Sequence, residues 1–469
     1  KQIISQEVAA MLDFSFEPYR QEMIETLKEF IKIESVKSAG QPNMPYGKGI
    51  FDALMFVQST AERMDLDCVN LFGHMAYVDY GEGEEMLGIL THIDVVPKGE
   101  GWTVPAFEGV EKDGRIYGRG AIDNKGPAVA ALYALKALSD NCAQINKKVR
   151  LIFGADEESG WADMDFYKQH EPWPDIAFSQ DGEYPVINSE KGLLHVQLKL
   201  TAEPNTDGVY VSSINAGTRV NVVPNKADCT IKAPLAIIQK SLSSYVCPVG
   251  AEFACEDAGE GLVHIAVTGK SAHGSRPDQG VNAAAALIAY LGTLPLCAGE
   301  ISQGIYDIAS KVGVYVHGEP LGLDVSDQSG RLTMNLGTVS LSGGKLKAGV
   351  DIRYPMSLTA PQVKEKLEAA FSPRFEVSYL HALDPHYVPE DSELIIKLKE
   401  AYTEVTGEEA YCISIGGATY ARAFKNAVTF GPVFPGQPSV EHGPDEYIEI
   451  DALVKNAQII ANAILKLCE

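Results

Sequence analysis

Thiol pairs at the spacing of a zinc ribbon or a redox motif are missing from this chain. Its eight cysteines, at positions 68, 142, 229, 247, 255, 297, 412 and 468, form neither Cys-x-x-Cys nor a dense disulfide framework. They read as buried thiols of a reducing compartment and leave any metal site to nitrogen and oxygen ligands. Basic residues are also short: 39 Lys and Arg against 63 Asp and Glu, a net charge of −24, which makes nucleic acid and anionic membrane surfaces poor partners. No apolar run is long enough to cross a bilayer of about 30 Å. The most apolar stretch, residues 283–298, is interrupted by Gly292 and Pro295 and reads as a buried helix. Gly118-x-Gly120 followed by Asp123 lacks the glycine spacing of a dinucleotide or phosphate loop. Residues 1–7 carry no basic segment leading into an apolar core, so a cytoplasmic protein is the expectation.

What is present is a set of hard and borderline metal ligands in telling places. Leu87-Gly88-Ile89-Leu90-Thr91 runs into His92-Ile93-Asp94, and Val149-Arg150-Leu151-Ile152-Phe153 leads to Glu157-Glu158; α/β folds build metal sites where strands run out into loops. His92 and Glu158 with Asp123, Asp181 and His442 supply two imidazoles and three carboxylates. Two divalent ions roughly 3.5–4 Å apart need such a set, with one carboxylate bridging them, so that a water held between them becomes hydroxide near neutral pH. Asp123, between glycine-rich turns in Gly118-Arg119-Gly120-Ala121-Ile122-Asp123-Asn124-Lys125-Gly126, is the natural bridge. Asp94 is placed to accept the imidazole N–H that the metal does not use. Glu157, expected on extended chain and pointing away from its neighbour Glu158, is the expected general base.

The segments Thr91-His92-Ile93-Asp94-Val95-Val96-Pro97, Tyr117-Gly118-Arg119-Gly120-Ala121-Ile122-Asp123-Asn124-Lys125-Gly126, Asp156-Glu157-Glu158-Ser159-Gly160 and Glu441-His442-Gly443-Pro444 resemble, in order, the motifs of M20 metallopeptidases, and the long central insert resembles the PepV-like dipeptidase branch. The resemblance implies that His92 and Asp181 hold one ion, Glu158 and His442 the other, with Asp123 between. It also implies that His273 and Asn221 are lid residues that hydrogen-bond the oxyanion, and that Arg353 grips the substrate's C-terminal carboxylate through its guanidinium fork. Gly416-Gly417 could offer backbone N–H groups to the same carboxylate; a plain tight turn is the alternative. The metal implied is Zn²⁺ first, with Mn²⁺ or Co²⁺ as alternatives. The remaining histidines, His74, His170, His195, His264, His317, His381 and His386, lack such settings.

At 469 residues with 45% hydrophobic content the chain is long enough for two or more domains. The expected fold is α/β. A catalytic domain with a mixed, mostly parallel sheet flanked by helices occupies residues 1–187 and 385–469, interrupted at 188–384 by an α+β lid with room for two subdomains. Apolar periodicity predicts helices through Met23–Ile31 and Phe51–Ala61, a helix opening at Gly126-Pro127, helices at 393–406 and at the C-terminus, and strands at 75–80 and 86–93 joined by Gly81-Glu82-Gly83-Glu84 as a hairpin. The function expected is hydrolysis of dipeptides or very short peptides with a free carboxylate, by a monomer. A deacylase or carboxypeptidase of the same fold, or a noncatalytic amino-acid-binding homologue, is the alternative.

Overall fold

The computed structural model describes residues 15–469; the expectation about residues 1–7 lies outside them. The chain folds as two compact units, one running to residue 189 and resuming at 387–413 and 418–469, the other made of residues 190–386 and 414–417. The division falls two residues after the expected boundaries and assigns Gly416 and Gly417 to the second unit.

In the first unit, α1 (Arg20–Ile31) and α2 (Lys48–Arg63) bury one apolar face each, as their spacing predicts. Strands β1 (Cys68–Leu71), β2 (Met75–Tyr80) and β3 (Met86–His92) follow. Then come α3 (Lys125–Asp140), β4 (Lys148–Gly154) and β5 (Ile176–Ser179). The expected β2–β3 hairpin does not form. β4 lies between the two, antiparallel to β2 and parallel to β3. The reason is burial: all seven residues of β3 are buried, so it needs neighbours on both edges and cover on both faces, which a parallel interior strand has. The 81–85 connection instead crosses the start of β4, where Lys148 N donates to Glu85 O at 2.9 Å.

β3 pairs parallel with both β4 and β5, with His92 level with Gly154 and Leu90 level with Ser179. Parallel pairing therefore brings three strand C-termini to one edge of the sheet, and the segments carrying His92, Glu157-Glu158 and Asp181 leave from that edge. α3 is buried on almost every side, as a helix apolar all round must be.

The second unit is built on an eight-stranded sheet. It contains β6 (Gly192–Thr201), β7 (Tyr210–Ala216), β8 (Lys226–Lys232), β9 (Glu252–Gly259), β10 (Leu262–Thr268), β11 (Thr333–Ser342), β12 (Lys345–Tyr354) and β13 (Glu376–Leu383). Every pairing is antiparallel, and burial that alternates from residue to residue along β6 gives one covered face. The apolar stretch from Ala283 forms α4 (Ala283–Leu291), which stops at Gly292. The two halves of the insert share this sheet. The chain then completes the first unit with α5 (Glu393–Thr406), β14 (Ala427–Thr429), parallel to β5, and α6 (Ile450–Leu467). α6 packs on α3 and α5.

Candidate metal centre

His92 is the last residue of β3, and its tautomer is determined by its surroundings. Nδ1 lies 3.0 Å from the backbone carbonyl of Asp94. A carbonyl only accepts, so Nδ1 carries the proton and Nε2 presents a lone pair. That lone pair faces carboxylates: Asp123 Oδ1 at 2.9 Å and Asp181 Oδ1 at 3.7 Å. His92 Nε2 is buried and makes no hydrogen bond of acceptable geometry. A lone pair buried against anionic oxygens is repulsive unless a cation lies among them, and a divalent ion fits.

A second group mirrors the first. His442 Nε2 lies 3.0 Å from the other oxygen of Asp123, Oδ2, and 2.9 Å from Glu158 Oε1. His92, Asp123 and Asp181 form one set of potential ligands and Asp123, Glu158 and His442 another, each with its atoms within 4.8 Å of one another. Asp123 belongs to both and offers a separate oxygen to each. All five residues lie in the first unit.

The electrostatics express the same demand for positive charge. Burial pushes the Asp123 carboxyl up, but the His442 and His92 imidazoles outweigh it and hold Asp123 well below the usual carboxylate range. Burial, followed by the Asp181, Glu158 and Asp123 carboxylates, holds Glu157 well above its ordinary value, with His92 acting against them. Burial and Asp123 push Glu158 up to about 7, against the pull of His442. Four carboxylates this close cannot all ionise in a buried site without cations.

Two expectations about this edge need correction. Glu157 and Glu158 lie in a turn rather than on extended chain, because Asp156 O accepts from Gly160 N and Trp161 N at 3.1 and 2.9 Å. Asp94 receives the His92 N–H mainly at its backbone carbonyl, with its carboxylate further off at 3.4 Å. That carboxylate instead accepts the backbone N–H groups of Glu157 and Glu158 at 3.2 and 3.1 Å, and so orients the turn that presents both. Asp123 also departs from the strand-end pattern: it sits in the turn entering α3, before Asn124 at the helix N-cap.

Several residues here carry no local signal in the sequence. Asn124 Oδ1 accepts from His92 N at 3.3 Å, while its Nδ2 donates to Gln180 O at 2.5 Å and lies 3.4 Å from Asp181 Oδ1. Asp163 Oδ2 accepts from Ala155 N and Asp156 N and from the Tyr420 hydroxyl. Arg119 and Glu446 form a buried ion pair at 2.5 Å between residues 327 positions apart.

The other candidates belong to the second unit. His273 Nδ1 accepts from Ser275 N at 3.2 Å and from Ser275 Oγ at 2.7 Å. A backbone N–H only donates, so the proton resides on Nε2 and the ring presents a donor there. Asn221 lies beside it, its carbonyl accepting from Gly274 N at 2.8 Å. Arg353 is 4% exposed; its Nε and Nη2 donate to the two Asp351 oxygens at 2.7 and 3.0 Å, and Nη1 donates to Gly416 O at 2.6 Å. Three of its donors thus serve the protein. Gly416 is a close-approach position, since a Cβ there would lie 2.9 Å from Ser275 Cβ.

The model of peptidase family M20/M25/M40 matches residues 88–466. The chain belongs to that family. Over 464 residues it is 36% identical to the putative dipeptidase YtjP of Bacillus subtilis, covering 96% of this chain and 98% of the relative. It is 32% identical to the Beta-Ala-Xaa dipeptidase of Lactobacillus delbrueckii subsp. lactis over 95% and 96%. Among solved structures, human carnosine dipeptidase 1 matches with a TM-score of 0.61 at 17% identity over 98% of each chain, a likeness of fold.

Proposed function

We propose that this M20 peptidase is a dinuclear metallo-dipeptidase acting on dipeptides or very short peptides with a free C-terminal carboxylate. The observation that carries the proposal is the sharing of Asp123, one oxygen to each ligand set; the dipeptidase names of two relatives at 36% and 32% identity support the substrate class. His92 and Asp181 would hold one ion, Glu158 and His442 the other, and Asp123 would bridge them. Two imidazoles with carboxylates suit Zn²⁺ first, Mn²⁺ or Co²⁺ next. When bound, the ions supply Lewis acidity, which activates a water and polarises the scissile carbonyl.

The protein's own groups do the rest. Glu157, raised by burial and by neighbouring carboxylates, takes the proton of the attacking water and returns it to the leaving amine. Asp94 presents Glu157 and fixes the His92 tautomer. From the second unit, the Nε2–H of His273, with Asn221, is assigned to the oxyanion. Arg353 and the 416–417 backbone are assigned to the substrate carboxylate. The enzyme is proposed to work as a cytoplasmic monomer. Steady-state hydrolysis of a dipeptide panel beside N-acyl amino acids, after metal removal and readdition, tests the substrate class. Metal-dependent turnover of dipeptides is expected; turnover of N-acyl amino acids alone would make the enzyme a deacylase.

A further inference from the structure

Two separate braces hold the candidate ligands, one for each set. On the His92 side, Asn124 connects His92 N, Gln180 O and Asp181 Oδ1. On the His442 side the connection is the Arg119–Glu446 pair, buried at 1% and 0% side-chain exposure. Glu446 Oε1 accepts from Ile122 N at 3.0 Å and from Asp123 N at 3.2 Å, while its Oε2 accepts from Arg119 Nη1. Arg119 Nη2 donates to the carbonyl of His442 at 3.2 Å and to that of Lys98 at 3.2 Å. One ion pair thus bonds the backbone of the bridging aspartate and the backbone of the histidine that shares an ion with it.

The pair also acts on a backbone that needs holding. His442 adopts a φ of 61°, a left-handed conformation that disfavours any residue but glycine. A buried ion pair is weak grounds for stability, since desolvation offsets most of the attraction. Its bonds to both ligand loops point to a more specific use.

We propose that Arg119 and Glu446 are positioning residues that set Asp123 against His442, and through them chiefly the affinity of the ion held by Asp123, Glu158 and His442, while Asn124 holds His92 and Asp181 on the other side. The inference rests on the dinuclear reading above. Two variants test it. Glu446→Gln keeps the shape and removes the partner charge of Arg119; Arg119→Lys keeps the charge but replaces the fork that reaches Glu446 and the His442 carbonyl together. Apo forms of wild type and both variants are titrated with Zn²⁺ by calorimetry and with Co²⁺ by visible absorption, and folding is checked by near-ultraviolet circular dichroism.

Wild type is expected to take two ions. Each folded variant is expected to bind the ion of the Asp123–Glu158–His442 set about 10–100-fold more weakly, with an altered spectrum for that Co²⁺ equivalent, and to show a smaller loss at the His92 set, which shares only Asp123 with the pair. A merely structural pair would lower the melting temperature and leave both affinities and both spectra unchanged; that result in a folded variant overturns the proposal. Arg119→Lys decides alone if Glu446→Gln does not fold. A wild type that binds a single ion would overturn the dinuclear reading itself, an outcome visible before any variant is compared.

Discussion

Glu157 and Glu158 are adjacent and chemically identical, yet their carboxyl groups meet different surroundings. Both donate their backbone N–H to Asp94, but the Glu158 carboxylate meets His442 Nε2 at 2.9 Å, whereas the Glu157 carboxyl lies among like charges. Glu157→Gln keeps size and removes the proton acceptor, so turnover should fall by about 10²–10⁴ with both ions retained. Steady-state kinetics beside elemental analysis checks this; substantial activity at unchanged metal content would give the base role to another residue. Four of the five residues that the structure brings together in the two candidate ligand sets were legible in the sequence because each lies in a short motif with its own strand or turn; Asp181, which looks like any turn aspartate, came in chiefly through the resemblance. Arg119 and Glu446 were not, because a pairing across 327 positions leaves no periodicity, and a lone Arg between glycines resembles any turn. The role of the Asp94 backbone was hidden for another reason: which oxygen of a residue meets an imidazole is decided by the loop path, not by residue type.

At the level of elements, periodicity worked where one face is buried. α5 spans Glu393–Thr406 as its pattern predicts, capped by Ser392, whose side chain accepts from Ile395 N, and ended by Gly407 at a φ of 75°. Strand partners were less legible, since the run of β3 specifies a doubly covered strand without naming its neighbours, and β4 entered where a hairpin was expected. The start of α3 offers a test of how tightly an element holds the site. A Cβ on Gly126 would lie 2.1 Å from Ala121 O, in the turn that carries Asp123. Alanine should gain up to about 1 kcal/mol in helix propensity, but the contact is with backbone and cannot swing aside, and overpacking costs about 1–3 kcal/mol. Gly126→Ala should therefore be less stable in denaturant titration and weaker in metal binding. Unchanged stability with unchanged metal affinity would show that the turn is more yielding than this packing implies.

For the molecule as a whole, the residues assigned to catalysis come from two units of one chain, and the long insert is the reason to expect that a single chain suffices. Light scattering should give one species near 50.7 kDa. Mixing inactive Glu157→Gln with inactive His273→Ala should restore no activity; recovery would show His273 acting on a neighbouring chain's metal centre and would refute the monomer. A net charge of −24 makes the chains repel one another at the concentrations these assays need; among the described residues no helix is long and apolar enough to cross a membrane.

Asp123 is proposed to join two ions in one site, and metal stoichiometry tests this directly. Apo protein and its Asp123→Ala variant are equilibrated with Zn²⁺, freed of excess and analysed for metal per chain. Two ions are expected in wild type and loss of both in Asp123→Ala, with His92→Ala losing mainly one. Two ions retained in folded Asp123→Ala would contradict it.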